Sequence, residues 1–257
     1  SRHHAYHHAT NGNWSKYRGP LGTLSLEEYA ELSPARQRQY RHVRRVGLAP
    51  LAGLMYLMIN PRLNWLRGCA GLLFHLLRGR IAQPQVGWRV QASAFRTRHW
   101  ASAAEFHHMS LNNLALLGLW LAMSSLIGAP LFFTIYLLAT ALAGAAGIVL
   151  FTVQHNFDHA YASDDQGWDH ETAAIHGTSF LELPGWLNWF TADIGYHHVH
   201  HLCARIPNYR LAACHAAHAE QFAEVRRLRL SDVLPSLRCL LWDREARRIV
   251  SIDRFAR

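Results

Sequence analysis

Cysteine is scarce in this 257-residue sequence: Cys69, Cys203, Cys214 and Cys239 are the whole complement, and no two form a CxxC pair. That spacing argues against a disulfide framework and favours a reducing compartment. There is no glycine-rich nucleotide loop, no internal repeat, no low-complexity tail and no flavin or haem motif. The N-terminus shows no signal-peptide pattern, and it also lacks a methionine, so the expectation is that further sequence lies upstream. Acidic residues are few, 17 Asp and Glu against 26 Lys and Arg, leaving a net charge of +9. A basic surface suits nucleic acid, anionic lipid headgroups or the cytoplasmic side of a membrane.

Apolar residues, in contrast, make up 50% of the chain while mean hydropathy is only −0.06, so very apolar segments must alternate with polar ones. Residues 1–46 are polar and basic, and NGN, RGP and SPAR mark loops between short helices. The stretch LSLEEYAEL (24–32) predicts a short helix with Ser25 as N-cap and Glu28 three residues on. Residues 47–59 and 68–77 are apolar but short, and Pro50 interrupts the first. They are expected to form a half-buried or interfacial pair rather than a spanning pair. The strongest signal is at 111–153, where LNNLALLGLWLAMSSLI and LFFTIYLLATALAGAAGIVLFTV flank a GAP turn. Each run approaches or reaches the ~20 residues that cross a bilayer, so a helical hairpin is expected over about 110–153. Arg78, Arg80, Arg89, Arg96 and Arg98 precede it and its turn has no cation, which puts both ends on the cytoplasmic side.

Nineteen histidines are the other excess. Residues three and four apart share one face of a helix. His4, His7 and His8 have that HxxHH spacing, His197, His200 and His201 repeat it, and His155 and His159 form an HxxxH pair just after the long apolar run. The hairpin returns to its starting side, so the three sets can meet on one face. Imidazole suits Fe, Zn, Cu or Ni, whereas Mg and Ca prefer oxygen. One tetrahedral ion takes about four ligands, so eight histidines suggest two ions. Asp158, Asp169, Glu171 and Asp193 are candidates to orient the rings from behind. His3 and His198 are expected to face away from the site, and His107 and His108 to lie at an interface. His42, His75, His99, His170, His176, His215 and His218 read as surface or structural. Trp186 and Trp189, in LPGWLNWF, resemble an interfacial anchor, with the lining of an acyl channel as the alternative.

These motifs resemble the membrane fatty acid desaturase family, which carries three histidine boxes beside a membrane-embedded acyl tunnel. HAYHH (4–8) is similar to its second box, HHVHH (197–201) to its third, and HNFDH (155–159) to the further ligand segment after the last transmembrane helix. HHATNGN, TLSLEEY, GWDH and IGYHHVHHLCARIPNY look most like bacterial acyl-lipid desaturases of the Δ12, or omega-6, type. The resemblance covers nearly the whole chain. The family's first box and first hairpin have no counterpart here, so the expectation is an N-terminally truncated enzyme, inactive or weakly metallated alone.

The resemblance implies an all-α integral membrane protein, a single desaturase domain over 1–257 with a helical cytoplasmic cap. It implies two non-haem iron ions held by His4, His7, His8, His155, His159, His197, His200 and His201, with the six box histidines catalytic through the metal centre. It further implies O2 as co-substrate, a lipid-, acyl-carrier- or CoA-linked fatty acyl chain, insertion of a cis double bond, and a ferredoxin or cytochrome-b5-type electron donor. Membrane lipid is a partner and nucleic acid is not, and the expected place is a bacterial inner membrane. A related diiron hydroxylase or carotenoid ketolase shares the boxes. A histidine-rich zinc transporter is the remaining class, but it would carry acidic or histidine residues inside its spanning helices, and 131–153 has none.

Overall fold

A computed structural model describes residues 2–19 and 21–255, apart from the side chains of Arg2 and His3, so the expected orientation of His3 lies outside the described residues. The protein is predominantly helical and divides into two compact units, residues 1–46 with 148–257, and residues 47–147.

The first unit opens with α1 (Arg2–Thr10), a two-residue strand β1 (Leu24–Ser25), α2 (Leu26–Ala30) and α3 (Pro34–His42). The start of α2 is the predicted capping box: the Glu28 amide donates to Ser25 Oγ at 3.2 Å, and the Ser25 amide donates to Glu28 Oε2 at 2.8 Å. Both donors would otherwise be left without partners at a helix N-terminus.

The second unit contains one helical run, Val46–Ala82, in place of the expected pair of short segments. Within it α4 (Ala49–Leu54) passes through a π-helical turn, Met55–Ile59, into α5 (Asn60–Ala82). Pro50 does not interrupt the run because it occupies the first turn of α4, where no amide is required. Pro61 is the true disturbance, since its ring excludes the normal bond to the carbonyl four residues back. That carbonyl, Leu57 O, accepts from Arg62 Nη1 at 3.0 Å instead. The π turn just before Pro61 absorbs the clash. After α6 (Trp88–Ala94) come α7 (Ala103–Ile127) and α8 (Ala129–His155), with the break at Gly128, φ +84°.

Three helical runs, Val46–Ala82, α7 and α8, are thus long and apolar enough to cross a membrane. None of the most apolar stretch of α7 is buried by protein, and only 6% of that of α8. Bare apolar helices of this length need a hydrocarbon solvent. Where α4 and α8 do meet, glycine faces glycine at Gly53 and Gly144.

The remainder of the first unit is α9 (His170–His176), β2 (Ser179–Leu181), α10 (Gly185–Phe190), α11 (His197–Leu202), α12 (Asn208–Ala217), β3 (Arg226–Leu228), α13 (Val233–Ser236), β4 (Cys239–Asp243) and β5 (Arg248–Ser251). Two small sheets, unforeseen in the sequence, tie distant segments together. One has the order β1-β4-β5 and the other pairs β2 with β3 in parallel. Trp14, Phe157, Leu181, Leu228, Trp242 and Ile249 form one core cluster, and Tyr29, Tyr40, Leu241 and Val250 another.

A Cβ on Gly144 would lie 2.6 Å from Gly53 Cα, so Gly144→Ala must push α4 and α8 apart. The expected cost is about 1–3 kcal/mol, read as a lower thermal midpoint in detergent. Gly147→Ala, whose Cβ would meet nothing within 4 Å, is expected to leave the midpoint within about 0.5 kcal/mol of the parent.

Candidate metal centre

Seven of the eight sequence-selected histidines converge. His7, His155, His197 and His201 form one group and His4, His8 and His200 a second, and within each group one ring nitrogen per residue lies within 4.8 Å of all the others. The HxxHH spacing works as expected because both segments are helical: α1 presents His4, His7 and His8, and α11 presents His197, His200 and His201. The groups adjoin, with the rings of His8 and His201 stacked at 4.2 Å and those of His7 and His8 edge-on at 5.5 Å.

His159 is not brought to either group. Helix α8 ends at His155, so the i, i+4 register never reaches it. His159 turns away at φ +71°, is exposed, and lies against Asp158 at 3.2 Å and Arg248. Of the four candidate supporting carboxylates, Asp158 and Asp169 are engaged elsewhere. Asp158 is held by His159, Asp169 caps α9 by accepting from the Thr172 amide at 2.7 Å, and Nδ1 of His7, His8 and His197 has no hydrogen-bond partner among the described residues. Docking of the helix backbones sets the positions of these rings.

That packing is specific. Helix α1 is docked by the ATNGNW segment: Ser163 donates its amide to Gly12 O and the Trp14 amide donates to Ser163 O, both at 2.8 Å. Asn11 Nδ2 donates to Ala173 O at 3.2 Å and Trp168 Nε1 to Asn11 O at 2.7 Å. Gly12 has φ +73°, and a Cβ there would press on Ala173 Cβ at 3.1 Å, so glycine is required. At the end of α8, the fully buried Gln154 donates to Ile194 O at 2.6 Å, three residues before α11. Helix α11 is pinned from behind by His198, fully buried, whose Nε2 lies 2.8 Å from Nδ1 of His215 on α12. The pair is enclosed by Phe180 and Phe222. His198 therefore faces away from the cluster, as its position between the spaced histidines implied. Gln154 escaped the sequence reading because it has no spacing signature, and His215, read there as surface or structural, proves structural through its contact with His198.

Burial, followed by repulsion from neighbouring imidazoles, lowers the pKa of His7 to about 4 and of His8 to about 3. The same causes push His197 and His201 well below the ordinary histidine value, and His200 moves the same way. The rings are thus neutral near pH 7, the form that binds metal.

The donor arrangement fits a cation. His155 Nε2 lies 3.1 Å from His7 Nε2 and 2.9 Å from His197 Nε2. A ring nitrogen carries either one proton or one lone pair, so a single tautomer of His155 cannot satisfy both contacts at once. A shared ion at the ~2.0–2.1 Å bond length typical of metal–imidazole contacts would satisfy all three. His201 Nε2, buried without a hydrogen-bond partner, is a further nitrogen in need of one.

The fatty acid desaturase family model matches residues 1–231. The chain belongs to the fatty acid desaturase family. A fatty acid desaturase of Bacillus subtilis (strain 168) is 31% identical over 250 residues, covering 96% of this chain and 61% of the relative. Chloroplastic omega-6 fatty acid desaturases of Brassica napus and Arabidopsis thaliana are each 28% identical over 109 residues, 40% of this chain and 24% of theirs. This desaturase-family chain therefore spans about three fifths of the Bacillus relative and about a quarter of the plant ones.

Replacing His215 by Leu leaves His198 Nε2 buried without a partner, at an expected cost of about 1–3 kcal/mol. A thermal-melt series in detergent reads this directly. His215→Gln, which restores a hydrogen-bonding group, should recover most of the loss, whereas equal loss in both variants would mean that packing alone is at stake.

Proposed function

We propose that this chain forms the histidine-box part of an O2-dependent, non-haem diiron desaturase that places a cis double bond in a fatty acyl chain. Residues 1–257 are read as belonging to one such domain. The observation that carries the reading is the division of seven imidazoles into adjoining groups of four and three, in a chain of this family with long apolar helices.

The methylenes of an acyl chain are not acidic, so no side chain acting as an ordinary base can take hydrogen from them, and a redox cofactor must carry that step. Iron is the metal proposed here, and when bound it would supply activation of O2 and removal of two hydrogens. His7, His155, His197 and His201 would hold one ion, and His4, His8 and His200 would contribute to the second. Burial keeps His7, His8, His197, His200 and His201 neutral and ready to bind, and the groups contain no carboxylate. The chain's part is to fix the donors on short helices α1 and α11 and at the end of α8.

The acyl substrate would be drawn from membrane lipid or an acyl carrier. Electrons would come from a ferredoxin or cytochrome-b5-type protein, whose acidic surface is complementary to a chain of net charge +9. The arginines at 78–98, before α7, and the uncharged turn at 128–130 favour a cytoplasmic histidine site in a bacterial inner membrane.

Expressing the complete coding sequence and profiling host membrane fatty acids tests the activity, and metal analysis of the anaerobically purified protein tests the site. About two irons per chain are expected; one zinc and no iron would sink the diiron reading. His200→Ala and His201→Ala should each abolish the new double bond with membrane insertion intact, while His159→Ala should keep both iron and product.

A further inference from the structure

Strands β2 and β3 run parallel, with Leu181 opposite Leu228, so the segments that follow them leave the sheet at the same end. After β2 comes α10; after β3 come Arg229, a short turn at Leu230–Asp232, and α13. Both segments turn one set of apolar side chains inward, since Leu183, Val233 and Leu237 pack on the core shared with Leu181 and Leu228. Both also turn a second set outward. Trp186, Trp189 and Phe190 are 64%, 76% and 73% exposed, and Leu230 and Leu234 are 52% and 65% exposed. Single exposed apolar residues are ordinary, but five large ones emerging from one end of a two-stranded ribbon form a face that needs a cover.

The charge beside this face is cationic. Arg226, Arg227 and Arg229 stand on or next to β3, all exposed. Glu182 lies 3.7 Å from both Arg227 and Arg229 and offsets part of that charge, while Arg226 has no ion-pair partner among the described residues. Tryptophan, phenylalanine and leucine outermost, with guanidinium groups at the edge, is the composition of a segment that lies in a bilayer interface: the rings enter the headgroup and upper acyl zone, and the arginines meet phosphate. A protein partner of ordinary polarity has no equal need of this combination.

We propose that α10 and the Leu230–Leu234 segment form a peripheral membrane-binding face that inserts Trp186, Trp189, Phe190, Leu230 and Leu234 into an anionic lipid leaflet. The face does not span the membrane. It is independent of the metal reading, resting on the exposed side chains, the neighbouring arginines and the parallel strand pair.

The test uses the full chain reconstituted in phosphatidylcholine vesicles with and without phosphatidylglycerol. The four native cysteines are replaced by Ala, and a nitroxide is attached at Trp189→Cys, Leu234→Cys or, as a polar reference, Arg36→Cys on α3. All three side chains are exposed, so the labels leave the cores intact. Collision rates with O2, which concentrates in lipid, and with a water-soluble nickel complex report immersion. The ratio of oxygen to nickel accessibility is expected to be several-fold higher at 189 and 234 than at 36, and to rise further with phosphatidylglycerol. A ratio equal to that at 36 overturns the proposal, because the face is then in water. Labels shielded from both reagents overturn it too, because a second copy or another protein then covers the face. Immersion indifferent to phosphatidylglycerol overturns the anionic assignment.

Discussion

Seven imidazoles gathered into adjoining groups of four and three are the constraint on which the first unit of this fold depends. Such a cluster opposes its own assembly: each ring loses hydration, and protonation of any one repels the rest. The scaffold answers with buried polar ties, most of them to backbone groups. Gly12 and Asn11 fasten α1 to the 161–174 region, Gln154 fastens the end of α8 to the loop before α11, and His198 fastens α11 to α12. Each tie satisfies a group that would be costly to bury alone. Together they bring residues 4–8, 155 and 197–201 to one place.

The other unit is stabilised in a different way. Its helices bury little of their apolar surface against protein, and the few specific contacts are made where bulk is absent, as at Gly53 against Gly144. Close backbone approach through small residues is how helices associate when the solvent is itself apolar. Pro61 illustrates the same economy. The carbonyl it leaves unbonded within a long apolar run is met by a side chain one residue further on, Arg62, so the helix continues. The peripheral aromatic face of α10 extends the theme to the first unit, where Trp189 is placed outward although nearby Leu183 is packed in the core.

Much of the site was legible before any fold was known, for a definite reason. HxxHH at 4–8 and 197–201 follows the 3.6-residue period, so whenever those segments are helical the rings must share a face. The capping box at Ser25 and Glu28 is local in the same sense. Legibility ended where local rules end. His155 and His159 have the same nominal spacing, but the helix stops between them, and nothing in QHNFDHAY announces that stop. The short strands were invisible because two to five residues are too few to display a period. The run from Val46 to Ala82 was read as two short segments, 47–59 and 68–77, with Pro50 interrupting the first, although proline in a first helical turn is harmless.

The sequence by itself determined the chemistry on offer: histidines at helical spacing, long uncharged runs and a basic balance, each a property of neighbouring residues. Only the tertiary structure decided which histidines meet, that they divide into groups of four and three, and that His198 supports the site from behind while His159 stands apart. The physical reason is that convergence of residues 4, 155 and 200 depends on how three helices end and dock. Those outcomes are set by contacts such as Gly12 with Ser163 and Gln154 with Ile194, between residues that no spacing rule connects.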